Sequence, residues 1–233
     1  MKKFLTLSLL CASILLAEDT AYITHTELGY VDTSGNTNTT SASLDSMGKK
    51  SWEEHSVQLD VDYLYGKQDG IENNNKLDTA FNYDYSFKKS ISFNYLLGYK
   101  NDKFSGFDYQ VFTGPGIKHQ TIENDTHNLA FQSNILYSQD SVLNETLNYT
   151  SLLIKGDYTY NVTKSFKFIQ MLSYRVNVEE TNAYFINSKT SFISKISDIF
   201  SMGINYKIDY ANTAPAGKVR TDKVLTASLI IDY

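Results

Sequence analysis

The feature that most constrains this chain is a strict two-residue alternation along residues 223–233, KVLTASLIIDY. Side chains of an extended strand point to opposite faces in turn. One face is apolar and carries Leu225, Ala227, Leu229, Ile231 and Tyr233. The other face is mostly polar and carries Val224, Thr226, Ser228, Ile230 and Asp232. The stretch predicts an amphipathic β-strand that ends on an aromatic residue.

Similar alternating segments of about ten residues recur from Tyr22 onward, separated by turn-forming residues. The clearest runs from Leu77 to Phe87. Counting them predicts twelve antiparallel strands. Short turns are expected after strands 2, 4, 8 and 10, including one at Gly48–Lys50, and long loops after strands 3, 7 and 11, including Gly66–Asn75 and Asn212–Thr221. The predicted fold is all-β: an antiparallel up-and-down transmembrane β-barrel with both termini at one end, the expected periplasmic end.

The composition favours a membrane barrel over a helical membrane protein. The chain has 18 Tyr and 13 Phe but 2 Pro, and its mean hydropathy is −0.32. Tyrosine has an apolar ring and a polar tip, and it recurs near predicted strand ends, as at Tyr85, Tyr137 and Tyr210, where a bilayer interface suits it. Alternation alone leaves open a secreted lipocalin-like barrel or sandwich, because it does not tell inside from outside.

The N-terminus predicts export. Lys2 and Lys3 precede an uncharged apolar run from Phe4 to Leu16, and the small Ala17 comes before two acidic residues. This pattern predicts a signal peptide over residues 1–17 and a mature barrel over residues 18–233. A retained anchor is the alternative, although the run is short for a membrane-spanning helix. The destination expected for such a barrel is the outer membrane of a Gram-negative cell.

Charge and cysteine content narrow the partners. The formal net charge is −5, and removal of Lys2 and Lys3 makes it more negative by two, which argues against nucleic acid. The only cysteine, Cys11, lies within the predicted signal. No metal-ligand or phosphate-loop spacing appears, so no cofactor is expected. The expected partners are outer-membrane lipid, ions or small solutes, and the barrel assembly machinery, which would engage the C-terminal strand ending at Tyr233.

Three blocks carry a family resemblance: residues 27–41 (ELGYVDTSGNTNTTS), 65–70 (YGKQDG) and 102–110 (DKFSGFDYQ). Together they resemble the family of salt-induced outer-membrane proteins, a family of unknown function. The resemblance extends over essentially the whole mature chain. It implies an outer-membrane location and no particular activity or functional residue.

The inward-facing charges form the candidate site. The predicted acidic lining residues are Glu27, Glu54, Asp60, Asp62, Asp78 and Asp84. The predicted basic lining residues are Lys155, Lys167, Arg175, Lys189, Lys195 and Lys207. On a ring of twelve strands these sets face each other, which predicts a narrow pore with an acidic wall opposite a basic wall. The alternative is that the charges meet as ion pairs across the lumen and plug the barrel, with Asp157 and Asp209 pairing locally.

An enzyme is the rival class, and the sequence gives it little support. An outer-membrane lipid hydrolase needs a serine, a histidine and an orienting polar residue close together. The four histidines, His25, His55, His119 and His127, lie in no nucleophile motif. A structural or adhesive barrel acting through its loops is a third alternative. No enzymatic activity is therefore expected.

Overall fold

The computed structural model describes residues 21–34, 38–142 and 145–232, which form twelve β-strands. In chain order the strands are β1 (Ala21–Thr33), β2 (Thr39–Trp52), β3 (His55–Gln68), β4 (Ile71–Lys88), β5 (Ile91–Asp102), β6 (Phe107–Glu123), β7 (His127–Val142), β8 (Glu145–Asn161), β9 (Phe166–Asn177), β10 (Tyr184–Lys195), β11 (Phe200–Ala211) and β12 (Thr221–Asp232). Within these ranges, no helix is long and apolar enough to cross a membrane.

Every strand pairs antiparallel with its sequence neighbours, and β1 pairs with β12, so the sheet closes into a barrel. The predicted twelve-stranded up-and-down barrel is confirmed. Closure matters because an unpaired backbone group in hydrocarbon costs several kcal/mol. We call the end where β1 begins and β12 ends the terminal end, and the opposite end the loop end. The predicted signal peptide and Tyr233 lie outside the described residues.

The apolar face of the sheet points outward. On β12, Leu225 and Leu229 are 70% and 45% exposed, whereas Ser228 and Ile230 are 7% and 0% exposed. Paired residues of antiparallel strands share a face, so the register extends this assignment around the ring. Exposed apolar residues on other strands include Leu28, Phe81, Leu97, Ile135, Ile154 and Ile204. A soluble barrel buries its apolar face inside, so this barrel has the arrangement of a membrane barrel.

Aromatic side chains gather at both ends of the outer face. At the terminal end, Trp52, His55 and Tyr85 form one cluster of ring contacts. A second cluster at the same end contains His127, Tyr158, Tyr160, Phe166, Phe168 and Phe192. At the loop end Tyr184 packs against Tyr174 and Tyr210. This distribution matches the aromatic girdles at the two interfaces of a bilayer.

Several predicted connections are wrong in position or length. Residues Gly48–Lys50 lie within β2, and the turn follows at residues 53–54, where Glu53 adopts a φ of 48°. The predicted loop Gly66–Asn75 is instead a tight turn at Asp69 and Gly70, because both flanking strands continue through it. The connection after β7 is also short, since β8 begins at Glu145. The polar residues in these segments predicted strand ends. In the structure the paired strands continue through them past the bilayer, where the polar side chains are in water.

Glycine in β6 allows the backbone of β7 to approach closely. In β6, a Cβ on Gly114 would overlap the carbonyl oxygen of Ile135 in β7. In the pairing of β6 with β7, Thr113 and Gly116 have register partners and the two residues between them do not. Pro115 supplies no backbone N–H there. The close approach of the two backbones therefore needs glycine at position 114.

Candidate functional site in the lumen

Polar and charged side chains line the inside of the barrel. The register places five of the predicted acidic residues on the inner face, namely Glu27, Asp60, Asp62, Asp78 and Asp84. All six predicted basic residues also lie on that face by register, namely Lys155, Lys167, Arg175, Lys189, Lys195 and Lys207. The electrostatics of the lumen depend on which of these acidic and basic side chains form ion pairs.

The most extensive meeting point joins β10 and β11 to β1, β2 and β3. Lys189 and Lys207 are register partners on β10 and β11. Both ammonium groups reach Oδ2 of Asp45 on β2, at 2.5 Å for Lys189 and 3.1 Å for Lys207. Lys189 Nζ also lies 3.4 Å from Glu27 Oε1, and Lys207 forms an ion pair with Asp62. Two lysines and three carboxylates thus form a network across a chord of the lumen.

A second bridge lies one step nearer the loop end. Lys76 of β4 pairs with Asp209 of β11, and Asn187 of β10 donates a hydrogen bond of 2.5 Å to Asp209 Oδ1. Lys100 of β5 donates to Asn187 Oδ1 at 3.3 Å. Asp78 lies 3.6 Å from Lys76 Nζ and completes the cluster. Strands β4 and β11 lie on nearly opposite sides of the ring, so this bridge crosses the lumen almost along a diameter.

Arg175 of β9 is the most enclosed cation of the lumen network, with 7% of its side chain exposed. Its guanidinium lies 4.7 Å from the ring centre of Phe112 and 4.5 Å from that of Phe185. It donates hydrogen bonds to Ser138 Oγ at 3.2 Å and Tyr149 Oη at 3.3 Å. Stacking between two rings desolvates the cation and fixes its plane, which makes Arg175 a rigid part of the wall.

The half of the lumen formed by β5 to β8 is filled by side chains. Its apolar layer consists of Leu96, Phe112, Leu136 and Leu153, all of which are buried. Beneath it, Asn94 accepts hydrogen bonds from Asn134 at 2.7 Å and from Gln132 at 2.9 Å. Asn94 also donates to Asp84, and Lys118 pairs with that carboxylate at 3.1 Å. Any open path therefore runs beside the charged strands, away from this half.

The junction of β1 and β12 carries its own polar cluster. His25 contacts Asp232 through Nδ1 at 2.5 Å and Glu27 through Nε2 at 3.1 Å. Glu27, which is 3% exposed, accepts further hydrogen bonds from Asn205 at 2.5 Å and Ser228 at 2.8 Å. These contacts join β1, β11 and β12 on the lumen side of the closing seam.

One predicted lining residue lies elsewhere, and a second lies at the rim of the lumen. Glu54 is exposed in the turn between β2 and β3, because β2 runs further than the sequence indicated. Lys195 lies at the terminal end of β10, where it pairs with Asp198 of the following turn at 2.8 Å. The charges are more mixed than two separate walls, since Lys76 lies on the acidic strand β4, and Lys100 and Lys118 lie on β5 and β6 beside it.

Two charged residues of the lumen network, Asp45 and Lys76, lie where the sequence pattern is weak. Asp45 lies in a weakly patterned segment whose predicted end came too early to give a clear face. Lys76 lies between the predicted loop, which ends at Asn75, and the predicted strand, which is marked from Leu77, and in the structure it is part of β4. Alternation counted from the structural strand ends finds both. The described residues contain no group of three or more His, Cys, Asp or Glu residues that could hold a metal ion.

The fold and the polar lumen define a porin-like β-barrel of the kind found in bacterial outer membranes. The chain belongs to the family described as protein of unknown function, DUF481, whose family model matches residues 26–233. No curated protein matches the sequence. The salt-induced name suggested by the three sequence blocks remains an expectation.

Solved structures share the architecture at low identity. The NanC porin in a rhombohedral crystal form is 9% identical, with a TM-score of 0.50 over 90% of this chain and 97% of that one. The KdgM porin is 10% identical, with a TM-score of 0.47 over 91% and 98%. The outer membrane channel DcaP of Acinetobacter baumannii is 9% identical, with a TM-score of 0.39 over 92% and 96%. At such identity the likeness concerns the fold alone.

Proposed function

We propose that the protein is a narrow outer-membrane pore for ions or small solutes, constricted by ion pairs that cross its lumen. The observation that carries the proposal is the network in which Lys189 and Lys207 share Asp45. Acidic residues of β1 to β3 thus meet basic residues of β10 and β11 within the conduction path. The proposal thus retains the hypothesis of an acidic wall opposite a basic wall, but only at this network.

The network acts as a filter because it presents both signs of charge at close range. A permeating ion must replace one partner of an ion pair with itself, which favours small, charged or strongly hydrogen-bonding solutes. Desolvation of an unpaired charge in a narrow lumen is costly, so the pairs re-form once the ion has passed. We therefore expect a low conductance.

The filled half of the lumen favours one second candidate, an occluded barrel with a structural or interaction role. Leu136 is fully buried and Leu96 is 4% exposed, although both side chains point into the barrel. If such packing extended across the ion-pair network as well, no ion would pass. Catalysis has no comparable support, since both ring nitrogens of His25 contact carboxylates and not a serine.

Planar-bilayer recording of the refolded mature barrel tests the proposal. We expect small discrete conductance steps for the natural chain. The variant K189Q/K207Q should show larger steps and a reversal potential shifted towards cation selectivity, because Glu27, Asp45 and Asp62 lose their cationic partners. The matched control is K218Q, since Lys218 is exposed in the loop between β11 and β12. A folded barrel that stays silent in all three forms would establish the occluded alternative.

Export and assembly belong to the same proposal. Residues 1–17 act as a signal peptide, and the C-terminal strand ending at Tyr233 engages the barrel assembly machinery. Mass spectrometry of the protein recovered from outer membranes should then give a mature chain beginning at Glu18. An intact N-terminus on membrane-inserted protein would contradict the proposed processing.

A further inference from the structure

A polar cavity lies within the barrel at its terminal end, apart from the ion-pair network that joins Lys189 and Lys207 to Asp45. It is bounded by strands β2 to β6 and has a volume of about 150 Å³. The register explains this space, because small side chains occupy consecutive inward positions. Ser56 pairs with Asp84, and Ser86 pairs with Ser92. One water occupies about 30 Å³ in the liquid, so the cavity has room for a polyatomic ion.

Side chains close this cavity towards the loop end. Asp84, which is 8% exposed, forms part of its floor, and Asn94 donates a hydrogen bond of 2.6 Å to that carboxylate. Asn94 belongs to the hydrogen-bonded layer that lies next to the buried apolar side chains of β5 to β8. The rim, by contrast, contains Lys89 of the turn between β4 and β5 and Glu123 at the end of β6. A ligand therefore enters from the terminal end.

Three lysines line the cavity, and one of them has a carboxylate partner. Lys118 pairs with Asp84 Oδ2 at 3.1 Å, so the charge of that carboxylate is compensated. Lys49 is half-buried on β2 and forms no ion pair with any residue of the described ranges. Lys89 and Glu123 are exposed at the rim, where water and salt screen their charges. An unpaired ammonium group in a narrow lumen is costly, so an anion bound beside Lys49 would be stabilised.

We propose that this cavity is a binding site for a small oxyanion such as inorganic phosphate. Lys49 and Lys118 supply positive charge from the two flanking strands, and lysine recognises phosphate as a point charge. The hydroxyls of Ser56, Ser86 and Ser92 donate hydrogen bonds to the oxygens of the ion. Each described residue that lines the cavity is polar, which favours such a hydrophilic ligand. The site lies away from the ion-pair network and is independent of conduction through it.

Isothermal titration calorimetry of the folded barrel in a non-ionic detergent tests the site. The probe is inorganic phosphate, and chloride keeps the ionic strength constant. We expect one phosphate to bind per barrel. K49Q should weaken binding by about tenfold or more, because it removes the unpaired cation, whereas K49R keeps the charge and should retain most of the affinity. The matched control K218Q, in the exposed loop between β11 and β12, should bind phosphate like the natural chain.

A second variant tests the cavity without changing any charge. S92L fills the space with an apolar side chain and should abolish phosphate binding. Compact mobility in SDS gel electrophoresis shows that each variant is folded. A natural barrel that binds no phosphate would overturn the proposal, as would a folded K49Q that binds it as tightly as the natural chain. The titration needs no ion flow, so the pore proposal stands or falls separately.

Discussion

Lys76 and Asp209 form an ion pair between β4 and β11, strands on nearly opposite sides of the barrel. Their positions differ by 133 residues in the chain. Both side chains are largely buried, with 17% and 27% of their surface exposed. The pair links two walls of the lumen that share no backbone hydrogen bonds, so it stabilises the cross-section of the barrel as well as the charges themselves.

This pair should show a measurable coupling energy. In a double-mutant cycle of K76M and D209N, we expect a coupling of about 1 to 3 kcal/mol in the free energy of unfolding. The exposed pair Lys103–Glu72, at 2.9 Å, is the matched comparison and should give about 0.5 kcal/mol or less because solvent screens it. Guanidinium unfolding in lipid vesicles provides the measurement. Equal coupling in the two cycles would contradict a lumen-spanning role.

The outward apolar face predicts a strong dependence on depth along one strand. F81R should destabilise the barrel by about 2 to 4 kcal/mol, because it places a charge in the lipid-facing band. I71R, ten residues earlier on β4, should have an effect near zero, since Ile71 is 74% exposed beside the turn between β3 and β4. The yield of folded barrel in vesicles and its unfolding free energy measure both. Similar losses for the two variants would contradict the assigned membrane band.

We expect Arg175 to be essential for stability because its charge compensates a buried carboxylate. The guanidinium lies 3.9 Å from Oδ1 of Asp140, an oxygen with no hydrogen-bond partner among the described residues. R175M leaves that carboxylate with the hydrogen bond from Tyr149 and no cation, and should cost about 3 to 5 kcal/mol in unfolding free energy. Adding D140N removes the stranded charge and should restore a large part of the loss. A double variant no more stable than R175M would show that ring stacking dominates.

His25 should stabilise the closing seam, because it bridges Glu27 of β1 and Asp232 of β12. H25A should lower the temperature at which the barrel loses its compact mobility in SDS gel electrophoresis. The control H119A removes a histidine of β6 whose ring contacts Thr121 at the surface. The control should retain the mobility of the natural barrel. If H25A and H119A melt at the same temperature, the seam does not depend on this bridge.

The sequence by itself determined the number of strands and the apolar and polar faces of most of them. The two-residue period repeats over twelve segments, and each segment needs only local information to be recognised. The faces of β12 follow directly from its alternation, and the structure has Leu225 outside and Ser228 inside as the pattern predicts. Aromatic residues at strand ends identified the interfaces for the same local reason.

Register and chain reversal were decided only by tertiary structure. Leu152, Leu153 and Ile154 are all apolar, so alternation does not assign the faces of β8 there, and pairing with β7 and β9 turns Leu153 inward and Ile154 outward. Polar residues around Gly66 looked like a loop because the sequence cannot show that a neighbouring strand satisfies their backbone groups. Strand ends near Gly48 shifted for the same reason.

The ion pairs of the lumen depend on closure of the ring. Residues 27, 45 and 189 converge because β1 pairs with β12, and the contact between Lys189 and Asp45 joins residues 144 positions apart. Charge composition indicates that acidic and basic side chains line the inside, but it carries no record of which strands face each other at which height. Shear and strand tilt fix those distances, and they are properties of the closed barrel alone.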